Sequence, residues 1–84
     1  MSDALHERVA DFISRKLSAM TELSLDAIDR DADLACYGMD SLLAAMLTEE
    51  LNIFLRRDVI DLNDMATVST INDVAALVAG RFRE

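Results

Sequence analysis

Apolar residues near the start of the chain recur every three or four positions, which is the spacing of one face of an α-helix. The pattern predicts a first helix over residues 3–20, with Ser2 or Asp3 in place to cap its exposed amides. The apolar positions of this helix are Leu5, Val9, Phe12, Ile13, Leu17 and Met20.

The helical periodicity lapses between Thr21 and Asp40, where aspartates accumulate. A connection of about twenty residues is long for so small a chain. We therefore expect a short helical turn near residues 25–29 and a functional role for the segment. The isolated apolar residues that we expect to anchor the connection to the core are Leu25, Ile28 and Leu34.

A second helix is predicted from Asp40 or Ser41 to about Arg56, because this stretch is dense in strong helix formers. One of its faces is apolar and carries Ala44, Leu47, Leu51 and Phe54. A separate stripe carries Leu42, Met46, Glu49 and Ile53. Since the two stripes lie at different angles around the helix, some side chains of the second stripe should face outward.

Two further helical patterns close the chain. Residues 62–66 predict a short element, and Thr70 can cap a last helix whose final turn is weakened by Gly80. The apolar stripe of that helix is Ile71, Val74, Leu77, Val78 and Phe82. The chain contains no proline and only two glycines, so we predict an all-α fold, a bundle of three main helices and one short helix. The predicted core comprises Val9, Phe12, Ile13, Leu47, Leu51, Phe54, Val74, Leu77 and Val78.

Composition and charge narrow the possible functions. The 84 residues suffice for one domain, over 1–84, with a small core. Sixteen acidic against eight basic residues give a net charge of −8, which opposes binding to nucleic acid or anionic lipid and favours basic partners.

No secretory or membrane-spanning pattern is present, so we expect a cytoplasmic protein. We also expect it to be a monomer. One cysteine and one histidine cannot form an ordinary zinc site, and no metal is expected.

The most informative stretch is Gly38, Met39, Asp40, Ser41 and Leu42, at the junction between the acidic connection and the second helix. Gly38 allows a sharp turn, Asp40 can cap the helix, and Ser41 projects a primary hydroxyl from the first turn. Unpaired amides and the positive end of the helix dipole favour a phosphate attached at such a position.

This stretch resembles the phosphopantetheine attachment motif of the acyl carrier protein family, usually a glycine, an apolar residue and then Asp-Ser-Leu. The likeness extends over nearly the whole chain, with Leu25, Ile28 and Leu34 at positions like the family's anchors. The resemblance implies an acyl-carrier fold with 4′-phosphopantetheine on Ser41, transferred from coenzyme A by a phosphopantetheinyl transferase. It also implies a non-catalytic protein that holds acyl intermediates as thioesters, with Gly38 and Asp40 supporting the motif.

Within the family, the stretch from Tyr37 to Ser41 looks closest to carriers of polyketide synthases, whereas peptidyl carriers commonly have a second glycine in the place of Asp40. The partners implied are a ketosynthase, an acyltransferase or acyl-activating ligase, and other enzymes of polyketide or fatty-acid-like biosynthesis. The side chains expected to contact partners are Leu42, Leu43, Met46, Glu49 and Glu50.

Other interpretations compete with the carrier role. Asp40 and Ser41 could be a plain helix cap in an unmodified acidic interaction module, or a peptidyl carrier could have departed from the usual motif. A small hydrolase using Ser41 would need a base, and His6 is far along the sequence. Cys36 is expected to be a partly buried small residue. The spacing of four aspartates partly matches that of a calcium-binding loop. Leu34 occupies the position where such a loop needs glycine, which argues against calcium binding. These aspartates are Asp29, Asp31, Asp33 and Asp40.

Overall fold

The computed structural model describes the backbone of residues 3–82 and the side chains of residues 4–82. Ser2, one of the two residues expected to cap the first helix, lies outside the described residues. Every regular element of the described part is helical, which confirms the all-α bundle. Its four α-helices are α1 (Asp3–Thr21), α2 (Ser41–Leu55), α3 (Leu62–Thr67) and α4 (Ile71–Phe82).

The core lies between α1, α2 and α4. Its fully buried large side chains are Val9, Ile13, Leu17, Leu47, Leu51, Ile71, Val74 and Val78. All eight belong to helix stripes that hydrophobic periodicity places inside, which is why the bundle follows from the sequence pattern. Within the described residues, no buried side-chain nitrogen or oxygen lacks a hydrogen-bond partner.

The predicted core includes Phe12, Phe54 and Leu77. That prediction is wrong for these three side chains, which are only half-buried and pack against the core. The buried stripe of α1 includes Ala10 and Ser14, and that of α4 includes Ala75 and Ala79. These small side chains occupy interior positions, so larger neighbours lie at the margin of the helix interfaces.

The rings of Phe12 and Phe54 stack on each other at the margin between α1 and α2. Their centroids are 4.3 Å apart and their planes 20° apart. Lys16 lies 5.6 Å from the Phe12 ring centre and also forms an ion pair with Glu50 of α2. The interface between the two helices therefore ends in an aromatic pair covered by charged side chains.

The connection between α1 and α2 contains two short 3₁₀ turns, Leu25–Ala27 and Leu34–Tyr37. The first agrees with the helical turn expected near residues 25–29. The anchoring role predicted for Leu25 is wrong, because its side chain is 39% exposed. Ile28 packs against the core instead, and Leu34 is buried as expected.

Hydrogen bonds fasten this connection to the start of α4. The amide of Leu34 donates to the carbonyl of Ser69 at 2.7 Å, and the amide of Asn72 donates to the carbonyl of Arg30 at 3.1 Å. The Asn72 side chain donates to Asp31 at 2.6 Å and lies 3.2 Å from the His6 imidazole of α1. Arg30 also donates to Glu7 of α1 at 2.9 Å, so the connection is held to two helices before it reaches α2.

Side chains from α2 and α4 hold the segment between α2 and α3. Asn52 donates to the carbonyl of Ile60 at 2.8 Å and accepts from the amide of Val59 at 2.9 Å. Arg81 donates to both carboxylate oxygens of Asp64, at 2.6 and 2.8 Å, and to the carbonyl of Val59. The Arg81 guanidinium, helped by the Asp61 amide, lowers the pKa of Asp64 from 3.8 to about 2.

Replacing Leu51 by alanine should destabilise the protein by about 2–5 kcal/mol, because it leaves a cavity among fully buried neighbours. The matched control is Ile53→Ala on the same helix, where the side chain is 69% exposed. Its effect should stay within about 0.5 kcal/mol. Urea unfolding followed by circular dichroism measures both, and equal stabilities of the two variants would contradict the core assignment.

The pair between Arg81 and Asp64 should make part of the stability depend on pH. Since the pKa of Asp64 is lower in the folded protein, the pair stabilises above about pH 4 and loses its effect as pH falls towards 2. The difference in unfolding free energy between the protein and its Asp64→Asn variant should therefore shrink over that range. Asn63→Ala, at a neutral exposed residue of α3, should show a constant difference. A constant difference for Asp64→Asn would exclude this role for the pair.

Candidate functional site

The backbone makes a sharp change of direction immediately before α2. Gly38 ends the second 3₁₀ turn with φ 77°, a left-handed conformation that glycine adopts without the steric cost of a side chain. Asp40 is then the N-cap of α2, and its carboxylate accepts a hydrogen bond from the amide of Leu43 at 2.8 Å. Ser41 is the first residue of the helix and is exposed.

The electrostatic character of this helix start suits an anionic group on Ser41. The amides of Ser41 and Leu42 precede the hydrogen-bond ladder of the helix, and the dipole of α2 has its positive end there. The cap is supplied by Asp40, so the Ser41 hydroxyl is not needed to hold the helix. The arrangement presents an exposed hydroxyl at a capped helix start, open to another protein.

Tyr37 is a supporting residue that the sequence reasoning missed. Its hydroxyl accepts a hydrogen bond from the amide of Asp29 at 2.6 Å and lies 3.1 Å from the Asp29 carbonyl, to which it donates. Tyr37 therefore ties the two 3₁₀ turns together next to Gly38. The available signal was a single aromatic residue in the connection, beside the motif.

An open groove of about 340 Å³ adjoins Ser41, between the start of α2 and α3. Its apolar lining includes Met39, Leu62 and Met65, and Ser41 is also one of its lining residues. A flexible group attached to Ser41 could lie along this groove, because the groove is open to solvent and largely apolar. The residues present therefore fit a covalently attached arm with polar and apolar parts.

The exposed stripe predicted on α2 is present. Leu42 is 71% exposed and Met46 is 42% exposed, and Glu49 and Ile53 are also at the surface. Two of the side chains expected to contact partners lie elsewhere. Leu43 is half-buried against the core, and Glu50 is half-buried and paired with Lys16 of α1. The rotation of α2 that buries Leu47 and Leu51 also turns Leu43 and Glu50 towards the bundle.

The remaining sequence candidates do not join Ser41 in one site. His6 bonds to Asn72. Cys36 is exposed in the second 3₁₀ turn, so the expectation that it is partly buried is wrong. No cluster of three or more potential metal ligands occurs within residues 3–82.

The aspartates that partly imitate a calcium loop make local hydrogen bonds. Asp29 accepts from the amide of Asp31, Asp33 accepts from the amide of Ala35, and Asp40 caps α2. Asp31 accepts from the side chain of Asn72. None of the helices within the described residues is long and apolar enough to cross a membrane.

A small helical bundle with an exposed serine at a helix start, beside an open groove, has the architecture of a carrier domain. The family model for the phosphopantetheine attachment site matches residues 11–78 of the chain. The chain belongs to this family, whose members carry covalently attached 4′-phosphopantetheine. Comparison with curated proteins found no significant match, and comparison with solved structures found none either.

Replacing Asp40 by alanine should destabilise the protein by about 1 kcal/mol, because the Leu43 amide loses its acceptor. Asp40→Asn removes the charge but keeps an oxygen that can cap the helix, so it should cost only a few tenths of a kcal/mol. Urea unfolding at neutral pH compares the two variants. If Asp40→Asn lowers the free energy of unfolding as much as Asp40→Ala does, the charge of Asp40 stabilises the helix and its capping bond does not.

Proposed function

We propose that this chain is an acyl carrier protein of polyketide or fatty-acid-like biosynthesis, with 4′-phosphopantetheine attached to Ser41. The observation that carries the proposal is the position of Ser41, exposed at the first residue of α2 within the matched region. Asp40 in place of a second glycine favours an acyl carrier over a peptidyl carrier, by resemblance to the two groups.

The proposed modification forms one bond and breaks another. The Ser41 hydroxyl oxygen attacks the phosphorus of coenzyme A that bears the pantetheine, and the pyrophosphate bond breaks to release adenosine 3′,5′-bisphosphate. The hydroxyl proton leaves to a base of the transferase. The attached group supplies a terminal thiol that holds acyl groups as thioesters, while the chain presents it to partner enzymes, which perform the catalysis.

Ser41 is suited to this modification because its hydroxyl can be altered without disturbing the helix. The capping hydrogen bond of α2 comes from Asp40, and the core contacts of the helix come from Ala44, Leu47 and Leu51, further along it. The positive end of the helix dipole lies where the phosphodiester would be. Modification should therefore leave the bundle intact.

The proposed docking surface for the transferase and synthase enzymes is the part of the exposed stripe nearest Ser41, consisting of Leu42, Met46 and Glu49 without Ile53. Its apolar side chains provide contact area, and Glu49 with the net negative charge of the chain favours basic partners. Leu43 and Glu50 have smaller roles, because their side chains are turned towards the bundle. A docking surface made of only three side chains suits brief encounters with successive enzymes.

The test is the intact mass after incubation with coenzyme A, magnesium and a phosphopantetheinyl transferase of broad specificity. The protein should gain one phosphopantetheine, and Ser41→Ala should gain none while keeping its stability within about 0.5 kcal/mol. Ser24→Ala is the matched control, because Ser24 is another exposed serine at the start of a helical turn. Its modification should be unchanged. Modification of Ser41→Ala, or none of the parent protein, would refute the proposal.

The rate of the same reaction tests the docking surface. Leu42→Ala should lower kcat/KM about five- to tenfold, because an apolar contact next to the reacting hydroxyl is lost. Ile53→Ala, at the far end of α2, should react at the parental rate. Equal rates for the two variants would place the docking surface elsewhere.

A further inference from the structure

The basic side chains of the chain fall into two groups. Four of those described form ion pairs with carboxylates, namely Arg15, Lys16, Arg30 and Arg81. Within residues 4–82, the other three cations have no carboxylate within salt-bridge distance, and these are Arg8, Arg56 and Arg57. In a chain with twice as many acids as bases, three cations without carboxylate partners need an explanation.

These three arginines lie around one depression with a mixed polar and apolar lining, at the end of α2 remote from Ser41. The depression has a volume of about 480 Å³, and its lining residues are Leu5, Arg8, Phe54, Leu55, Arg56 and Phe82. The guanidinium of Arg8 lies 5.7 Å from the centre of the Phe54 ring, and that of Arg57 lies 4.9 Å from the centre of the Phe82 ring. We name these lining residues together with Arg57 the arginine–phenylalanine patch.

Arg56 occupies a position that the backbone alone would assign to another residue type. It is the C-cap of α2 and has φ 61°, in the left-handed region. Glycine or asparagine adopts that conformation at lower cost, by about 1 kcal/mol. The Arg56 side chain lines both the patch and the neighbouring groove of about 650 Å³. The arginine is thus not required by the helix end, and its charge is available to a ligand.

The chemistry of the patch selects an anionic partner with apolar groups. Arginine held over an aromatic ring keeps its N–H edge free for bidentate bonds to a carboxylate. Arginine and phenylalanine are enriched in protein interfaces, where apolar contact and charge pairing combine. The adjoining groove contains Glu49 and Asp58, so acids bound the patch on that side and would orient a charged partner.

We propose that the arginine–phenylalanine patch docks an acidic protein segment that carries Leu or Phe side chains between its carboxylates. The segment's apolar side chains enter the depression formed by Leu5, Phe54 and Phe82, and its carboxylates pair with Arg8, Arg56 and Arg57. Fifteen helical residues separate Ser41 from this end, a distance of ~22 Å along α2. The chain could therefore be held at the patch while Ser41 stays accessible.

The test is a titration of the ¹⁵N-labelled full chain, followed by two-dimensional NMR. The probe is a short synthetic peptide with glutamates on both sides of a Leu-Phe pair, and the control peptide has lysines in place of the glutamates. Amide shifts should change around Leu5, Arg8, Leu55 and Phe82 with the acidic peptide and stay unchanged with the basic one. The Ser41→Ala protein should show the same amide shifts with the acidic peptide. Because this variant has no hydroxyl to modify, binding at the patch is tested independently of the proposed function.

Two variants on α1 provide a matched comparison. Arg8→Gln and Arg15→Gln both remove one exposed positive charge, but Arg15 is paired with Asp11 and lies outside the patch. Arg8→Gln should weaken binding of the acidic peptide about two- to fivefold, and Arg15→Gln should leave it unchanged. The double variant Arg56→Gln/Arg57→Gln should weaken it further.

Several results would overturn the proposal. They are the absence of binding, shifts located elsewhere, an equal response to the basic peptide, and equal effects of Arg8→Gln and Arg15→Gln. Shifts at the patch that depend on protein concentration without peptide would assign it to a second copy of the chain. Binding to vesicles of anionic phospholipid, lost in Arg8→Gln and without a response to the peptide, would assign it to lipid.

Discussion

The site at Ser41 depends on how the connection between α1 and α2 is fastened to α4. Leu34 contributes a buried side chain and a 2.7 Å hydrogen bond to the Ser69 carbonyl, and Asn72 holds Arg30 and Asp31. An untethered connection of this length would leave the start of α2 free to fray, since helix ends are held by few hydrogen bonds. With the connection fixed, the turn at Gly38 directs the chain into α2 at one defined residue.

The first turn of α2 divides its tasks among adjacent residues. Asp40 supplies the capping bond, Leu43 packs on the core, and Ser41 and Leu42 face solvent. Because stability and exposure are assigned to different side chains, a group on Ser41 would leave the capping bond and the core contact of the first turn in place. The far end of the same helix differs chemically, because Arg56 and Arg57 follow its last residue. One helix therefore presents two chemically distinct surfaces.

The helices and most of the core could be predicted from the sequence, because periodicity and caps are local signals. Thr70 accepts from the amide of Asp73 as a cap of α4, as predicted. The position of Ser41 at the start of α2 followed from the glycine and aspartate before it. The contacts of Tyr37, Asn52 and Asn72 could not be predicted, since each joins residues that only the packed bundle brings together. Burial in the connection could not be predicted for the same reason, as Leu25 and Cys36 show, because exposure there depends on how the two 3₁₀ turns lie against the bundle.

The central claim is that a preformed bundle presents a group on Ser41 without changing its own packing. Two-dimensional ¹⁵N NMR spectra of the protein before and after modification with phosphopantetheine test it most directly. The account predicts shift changes at Gly38 to Leu43 and along the groove at Leu62 and Met65, with core amides such as those of Val9 and Val74 unmoved. Changes throughout the core, or a spectrum that becomes dispersed only after modification, would contradict it.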